Sequence, residues 1–435
     1  MRLRVRPCER LSGSIRPPGD KSISHRAAML SSIATGIARI EGFLECDDCL
    51  RTAEALRAMG VHIEPIGTET LEVHGAGLDG LQEPDQPLEM GNSATGMRLM
   101  MGLVAGRPFE VTLAGDESLS QRPMDRIARP LELMGGRVQG RGERCLPPVT
   151  VRGGDLGGIE YHTPMASAQV KSAILLAGLQ AVGETRVIEP GPSRDHTERM
   201  LRAMGADIEV EDLTVTLRPG RELQAQSMQV PADLSSTAFV LVAALLTQDS
   251  EVLAEETLLN PRRTGLLEVL EAMGADLEVG DRQQVACEPV GNILARSSHL
   301  AATEAGGELI PRMIDEVPVL AVAATQAEGT TVISDAQELR VKESDRLAAM
   351  AEVLSAMAAD ITEREDGLEI TGPTPLRGAT VDSRGDHRVA MSAAVAGLVA
   401  EGETIVERAE CIATSFPGFT RAMQELGAEC VEEEE

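Results

Sequence analysis

The chain has 435 residues, 43% of them hydrophobic, and a formal charge of −29. That length supports two domain cores rather than one, and the charge opposes nucleic acid and anionic membrane surfaces. No Trp, one Tyr and five Phe leave no stacking platform for single-stranded nucleic acid.

Met1-Arg2-Leu3-Arg4-Val5-Arg6 leads into no apolar core of signal-peptide length. The longest apolar run, Ala238 to Leu246, is too short to span a bilayer. Seven scattered cysteines argue for reduced thiols and a cytoplasmic protein.

Gly19-Asp20-Lys21-Ser22-Ile23-Ser24-His25-Arg26 reads as a polar loop feeding a helix over 27–34. Free N–H groups and the positive dipole end at such a start attract phosphate or carboxylate, and Lys21 and Arg26 add full charges. Cys46-Asp47-Asp48-Cys49 is a solitary CxxC with no second pair, and reads as structural. Asn92-Ser93-Ala94-Thr95-Gly96-Met97-Arg98 repeats the pattern of polar loop, helix start and Arg. So does Met165-Ala166-Ser167-Ala168-Gln169-Val170-Lys171, ahead of an apolar helix over 174–179, and Arg194-Asp195-His196-Thr197 opens another. Several anion-binding helix starts in one chain suggest substrates carrying more than one anionic group.

The second half adds carboxylates. Asp315 and Glu316 precede the apolar stretch 319–324, and Asp386-His387-Arg388 precedes another apolar helix. Lys342, Glu343 and Arg346 are spaced to share one helical face if that segment is helical. Carboxylates beside Lys and Arg suit proton transfer, and guanidinium forks suit carboxylate and phosphate. His25 and His387, each beside or near an Arg at a helix start, read as groups that hold neighbours in place. Cys411 is a weak nucleophile candidate. Only three lysines, Lys21, Lys171 and Lys342, stand against thirty-seven arginines. A lysine kept against that bias marks a place where a compact ammonium is needed and a planar guanidinium will not serve.

A helix ending in Met-Gly-small recurs at Met59, Met134, Met204 and Met273, more weakly at Met357, and with Leu at Leu426. The intervals run from 69 to 84 residues. Each copy stops a helix at a residue able to turn left-handed, then continues in alternating strands such as 207–210 and 276–279. Such units exceed a solenoid repeat. Three could close around a shared core, which gives two pseudo-threefold domains. The expected boundaries are 20–232 for one domain and 1–19 plus 233–435 for the other, with crossovers at Pro17-Pro18-Gly19 and Pro231-Ala232-Asp233.

The motifs at 19–26, Gln121-Arg122-Pro123-Met124, Pro164-Met165-Ala166-Ser167-Ala168-Gln169, 339–346 and 386–388 occur in an order that closely resembles the 3-phosphoshikimate 1-carboxyvinyltransferases, or EPSP synthases. Arg194 to Thr197 resembles the bacterial, glyphosate-tolerant branch. The resemblance implies an α/β (α+β) enolpyruvyl transferase fold of two domains, each of three βαβαββ repeats, with the active site in the cleft between them. It implies transfer of the enolpyruvyl group of phosphoenolpyruvate to the 5-hydroxyl of shikimate 3-phosphate, with loss of phosphate. It implies no metal or organic cofactor, no partner beyond these small anions, and a monomer.

Carried over by motif, Lys21, Ser22, Arg26, Ser167, Ala168, Gln169, Arg194, Asp315 and Lys342 would hold shikimate 3-phosphate. Lys21, Ala94, Arg122, Gln169, Arg346 and Arg388 would hold phosphoenolpyruvate. Asp315 would take the hydroxyl proton, and Glu343 with Lys21 would handle the proton at the enol methylene carbon. The chain departs from the family at Ala94, Ala168, Glu338 and Thr414; the Ala94 methyl would exclude glyphosate. A UDP-N-acetylglucosamine enolpyruvyl transferase is the nearest alternative, but it would carry a loop Cys where this chain has Ser118-Leu119-Ser120-Gln121-Arg122. A non-catalytic anion-binding scaffold is the alternative from another class.

Overall fold

The structure, a computed structural model, describes residues 1–434. The chain divides into two compact units. One comprises 1–18, 231–284 and 289–435; the other comprises 19–230 with 285–288. We call the first the terminal unit and the second the central unit.

Among the described residues the strands form six four-stranded sheets, all built on one plan. The stretch 88–152 shows it. Leu88–Glu89 leads into helix Ala94–Val104, and Glu110–Ala114 returns parallel to the first strand. Helix Asp125–Leu133 follows, and then the hairpin strands Arg137–Arg141 and Leu146–Arg152, the latter antiparallel to Glu110–Ala114. This is the expected βαβαββ repeat.

Three of the six sheets take a strand from elsewhere in the chain. Ser12–Ile15, which precedes the Lys21 helix, pairs instead with Glu251–Leu258. Its place beside Thr35–Glu41 is taken by Met228–Gln229. Arg2–Val5 lies between Thr404–Glu407 and Cys430–Glu433.

The first helix of each repeat is buried almost throughout. In the central unit these inner helices are Lys21–Ser32, Ala94–Val104 and Ala168–Gly178; in the terminal unit they are Leu234–Leu246, Val317–Thr325 and His387–Leu398. Small side chains let them approach closely. A Cβ on Gly102 would lie 2.2 Å from the Ala173 carbonyl oxygen of the neighbouring inner helix. Full burial of each Leu, Val or Ile on such helices stabilises by about 1.5–3 kcal/mol.

The second helix of each repeat carries the Met-Gly signature, and the backbone explains it. Met59, Met134, Met204, Met273, Met357 and Leu426 are the C-caps. In the Met204 copy, Gly205 N–H donates to Arg202 and Ala206 N–H to Leu201, closing a Schellman motif. The same pair of bonds closes the weaker copy, where Ala358 takes the left-handed position at φ 67°. No helix among the described residues is long and apolar enough to cross a membrane.

Three sequence expectations change. The first inner helix begins at Lys21 rather than at 27, because Asp20 Oδ1 accepts from Ile23 N–H and caps it there. The third inner helix begins at Ala168 rather than near 174, because Ser167 Oγ accepts from Val170 N–H and caps it there. Lys342 and Glu343 are not helical. Lys342 ends the 3₁₀ turn Gln337–Val341, and Asp345 caps a helix that starts only at Arg346.

Candidate active site

Each unit gathers its polar side chains at the starts of its inner helices, where four N–H groups per helix lack intrahelical partners. In the central unit the first start is capped by buried Asp20, whose Oδ1 accepts from Ile23 N–H at 2.8 Å. Ser93 caps the second through Gly96 N–H at 3.0 Å. Ser167 caps the third.

Lys21 opens the first helix, and its ammonium donates to buried Asp48 Oδ2 at 3.1 Å. Asp48 belongs to the CxxC segment, so that segment supplies the lysine's counter-charge. Cys46 N-caps helix Asp47–Ala58, and both thiols are buried. Arg26 is 3% exposed. Its Nε donates to Thr197 Oγ1 at 2.7 Å, Nη1 to the Ser22 carbonyl at 2.9 Å and Nη2 to Ser172 Oγ at 2.8 Å. All three partners are neutral. Burial lowers this guanidinium to about 10, against the pull of Glu198 and Asp20.

Gln169 is fixed from both sides: Oε1 accepts from Arg98 Nη1 at 2.6 Å, and Nε2 donates to Thr95 Oγ1 at 2.8 Å. Arg122 Nη2 donates to Asn92 Oδ1 at 2.6 Å and Ser118 Oγ at 3.1 Å. Ala94 and Ala168 are the first residues of their helices, and half-buried Arg194 lies just before helix His196–Ala203. His25 ties the first two starts together. Its Nδ1 lies 2.8 Å from Thr52 Oγ1 and its Nε2 3.4 Å from Ser93 Oγ. Burial, with Lys21 and Arg26 adding to it, pushes its pKa down to about 3, so the ring is neutral.

The terminal unit is arranged differently. Its N-cap residues are Asp233, Glu316 and Asp386, all buried carboxylates. Buried Arg263 faces two of them, 3.3 Å from Asp233 Oδ1 and 3.6 Å from Glu316 Oε1. Buried Arg346 faces the third and both candidate acids. Its Nε donates to Asp386 Oδ2 at 2.9 Å, Nη1 to Asp315 Oδ1 at 3.1 Å and Nη2 to Glu343 Oε2 at 2.6 Å. Burial alone would lower this guanidinium; Asp386, Glu343 and Asp315 reverse that and hold it above its ordinary range. Lys342 Nζ stands 4.0 Å from Asp315 Oδ1. The structure therefore brings Asp315, Lys342, Glu343 and Arg346 to one point without the shared helical face expected for 342–346.

Arg388 completes this half-site. It is 4% exposed, with its guanidinium 5.9 Å from the Phe239 ring centre. Among the described residues its Nε and Nη1 have no hydrogen-bond partner. Leaving a buried cationic donor unpaired is costly. Burial raises Cys411 to about 12, which removes it as a nucleophile.

Sequence reasoning left Asp48, Arg98 and Asp386 without the roles the geometry gives them. Asp48 was hidden in a motif read as structural. Asp386 pairs with Arg346 across 40 positions. Glu338 sits half-buried in the 3₁₀ turn 337–341, and Thr414 ends another at 409–414.

The EPSP synthase (3-phosphoshikimate 1-carboxyvinyltransferase) family model matches residues 5–423. The chain is 54% identical to a 3-phosphoshikimate 1-carboxyvinyltransferase of Synechococcus elongatus, over 96% of this chain and 94% of that one. It is 50% identical to one from Brevibacillus brevis, over 96% and 98% of the two chains. It superposes on a solved EPSP synthase of Acinetobacter baumannii with a TM-score of 0.89 at 45% identity, covering 99% of this chain and all of that one. The chain belongs to the EPSP synthase family.

Proposed function

We propose that the buried arginines of this chain receive the anionic groups of two substrates. The chain is an enzyme of the shikimate pathway, a 3-phosphoshikimate 1-carboxyvinyltransferase acting on phosphoenolpyruvate and shikimate 3-phosphate. The observation that carries the site reading is a pair of buried guanidiniums, Arg26 and Arg388, which among the described residues make no ion pair with a carboxylate. A buried cation so placed gains most from an anionic ligand.

Arg26, Lys21, Ser22 and Arg194 hold shikimate 3-phosphate together with the helix start at Ser167, Ala168 and Gln169, and Lys342 completes that site. Arg122, Arg346 and Arg388 hold phosphoenolpyruvate, with Lys21, Gln169 and the Ala94 helix start beside it. Asp315 and Glu343 occupy Arg346 in the free enzyme. An arriving anion takes over part of that guanidinium and releases the carboxylates for proton transfer.

Protonation at the methylene carbon by Glu343 with Lys21 makes the adjacent carbon cation-like. The 5-hydroxyl adds there as Asp315 takes its proton, and return of a methyl proton with departure of phosphate gives the product. Acid and base act on different atoms, which is why two carboxylates are needed. Each such assistance is typically worth about 10²–10⁴-fold. The protein works as a cytoplasmic monomer.

The decisive assay is phosphate release from phosphoenolpyruvate with and without shikimate 3-phosphate. Release that requires this acceptor is expected. Release supported equally by UDP-N-acetylglucosamine would overturn the reading. Ala94, at its helix start, sets glyphosate tolerance: inhibition should need millimolar inhibitor, and Ala94→Gly should bring it to lower concentration. Micromolar inhibition of the unaltered enzyme would rule this out.

A further inference from the structure

Lys171 lies in helix Ala168–Gly178 and is 2% exposed. Its Nζ is 2.6 Å from Glu189 Oε2 and 2.7 Å from Glu198 Oε1, and both carboxylates are buried. Burial alone would lower this ammonium, but Glu198 and Glu189 overcome it and raise it. One cation between two carboxylates leaves a net negative charge in the interior, which is expensive unless compensated.

The compensating charge is Arg26. Its Nε and Nη2 are held by Thr197 and Ser172, the residues adjoining Glu198 and Lys171, and those two hydroxyls lie 2.7 Å apart. Arg26, Lys171, Glu189 and Glu198 thus form one buried set of two positive and two negative charges. Yet among the described residues Arg26 itself makes no ion pair, while Lys171 Nζ holds Glu198 through Oε1. A compact ammonium fits between two carboxylates and leaves the guanidinium on neutral acceptors, which explains a lysine in a chain that otherwise uses arginine.

We infer that Lys171 is a positioning residue for substrate binding: it keeps Glu198 off Arg26, so that the charge of Arg26 remains available to an incoming phosphate. This rests on the reading of Arg26 as a phosphate contact.

The test compares Lys171→Met, Glu198→Gln and the double variant in the full chain. Lys171→Met should raise KM for shikimate 3-phosphate about tenfold, Glu198→Gln should lower it about threefold, and the double variant, with the original charge sum, should return near wild type. In each, kcat should stay within about threefold. The stabilisation of each folded variant by millimolar inorganic phosphate in thermal unfolding should follow the same order. A brace without electrostatic purpose would lower stability in both single variants and leave KM in place. That outcome, or KM moving the same way in both, overturns the inference. If Lys171→Met does not fold, Glu198→Gln decides by the sign of its shift. Should the wild-type enzyme release no phosphate from the substrate pair, the functional reading fails, while the phosphate-stabilisation order still decides the role of Lys171.

Discussion

The inner-helix starts of the two units share a backbone plan and differ in chemistry. In the central unit the caps are Asp20, Ser93 and Ser167, and Arg26 rests on neutral partners. In the terminal unit the caps are Asp233, Glu316 and Asp386, and Arg263 and Arg346 are each matched by carboxylates. One set leaves cationic capacity for a ligand. The other sets Arg263 and Arg346 against carboxylates, while Arg388 Nε and Nη1 have no hydrogen-bond partner among the described residues. One repeated module thus surrounds its buried arginines with neutral acceptors in one unit and with carboxylates in the other.

The sharpest way to break this comparison is to remove the acids. Asp315→Ala and Glu343→Ala should each lower kcat by about 10²–10⁴-fold, with the fold intact by circular dichroism. Wild-type turnover in both would return the terminal unit to a purely structural role.

Next in size is the contrast between arginines. Arg346→Met strands three carboxylates around one buried point and should cost about 3–5 kcal/mol in urea unfolding. Arg26→Met strands no paired carboxylate and should cost about 1–3 kcal/mol, the loss of its hydrogen bonds, while impairing shikimate 3-phosphate binding. Equal stability losses would erase the distinction.

A third prediction concerns acid. An ordinary His takes a proton near pH 6.5, but folded His25 resists down to about 3. Between those values the unfolded chain binds the extra proton, so stability falls as pH falls. The contribution is up to about 1.4 kcal/mol per pH unit. The slope in denaturant midpoints from pH 6.5 to 5 should flatten in His25→Asn; an unchanged slope would place the acid sensitivity elsewhere. The smallest effect tests the repeat itself. Ala358→Gly relieves a left-handed alanine and should stabilise by about 1 kcal/mol, net of glycine's entropy. No gain in midpoint would mean that the Schellman turn tolerates the methyl freely.

The repeats were legible because their signals are local: a Met-Gly at a helix end and alternation in the strands after it. The order of motifs likewise singles out Lys21, Arg26, Glu343 and Arg388 as candidates. What escaped was set by distant pairing. The stretch from Ala168 to Ser172 reads as a polar loop, yet Lys171 and Ser172 are buried in a helix. The partners that permit this, Glu189, Glu198, Arg26 and Thr197, are far away in sequence. Lys342 and Glu343 have helical spacing, but Asp345 prefers to cap, and the loop before it folds onto Arg346. Nothing local distinguishes Asp48 from Asp47 between the two cysteines, and its partner Lys21 is 27 positions away.

The placement of Arg2–Val5 between Thr404–Glu407 and Cys430–Glu433 imposes an order on biosynthesis. The strands of the central unit's three sheets all lie between residues 35 and 229, so those sheets can form while the ribosome is still translating. Arg2–Val5 has neither neighbour until residues 404–433 have been made. Loop-closure entropy makes pairing over so long a separation slow, so completion of that sheet should trail that of the central unit, and Arg2–Val5 must be kept from pairing with the wrong edge in the meantime.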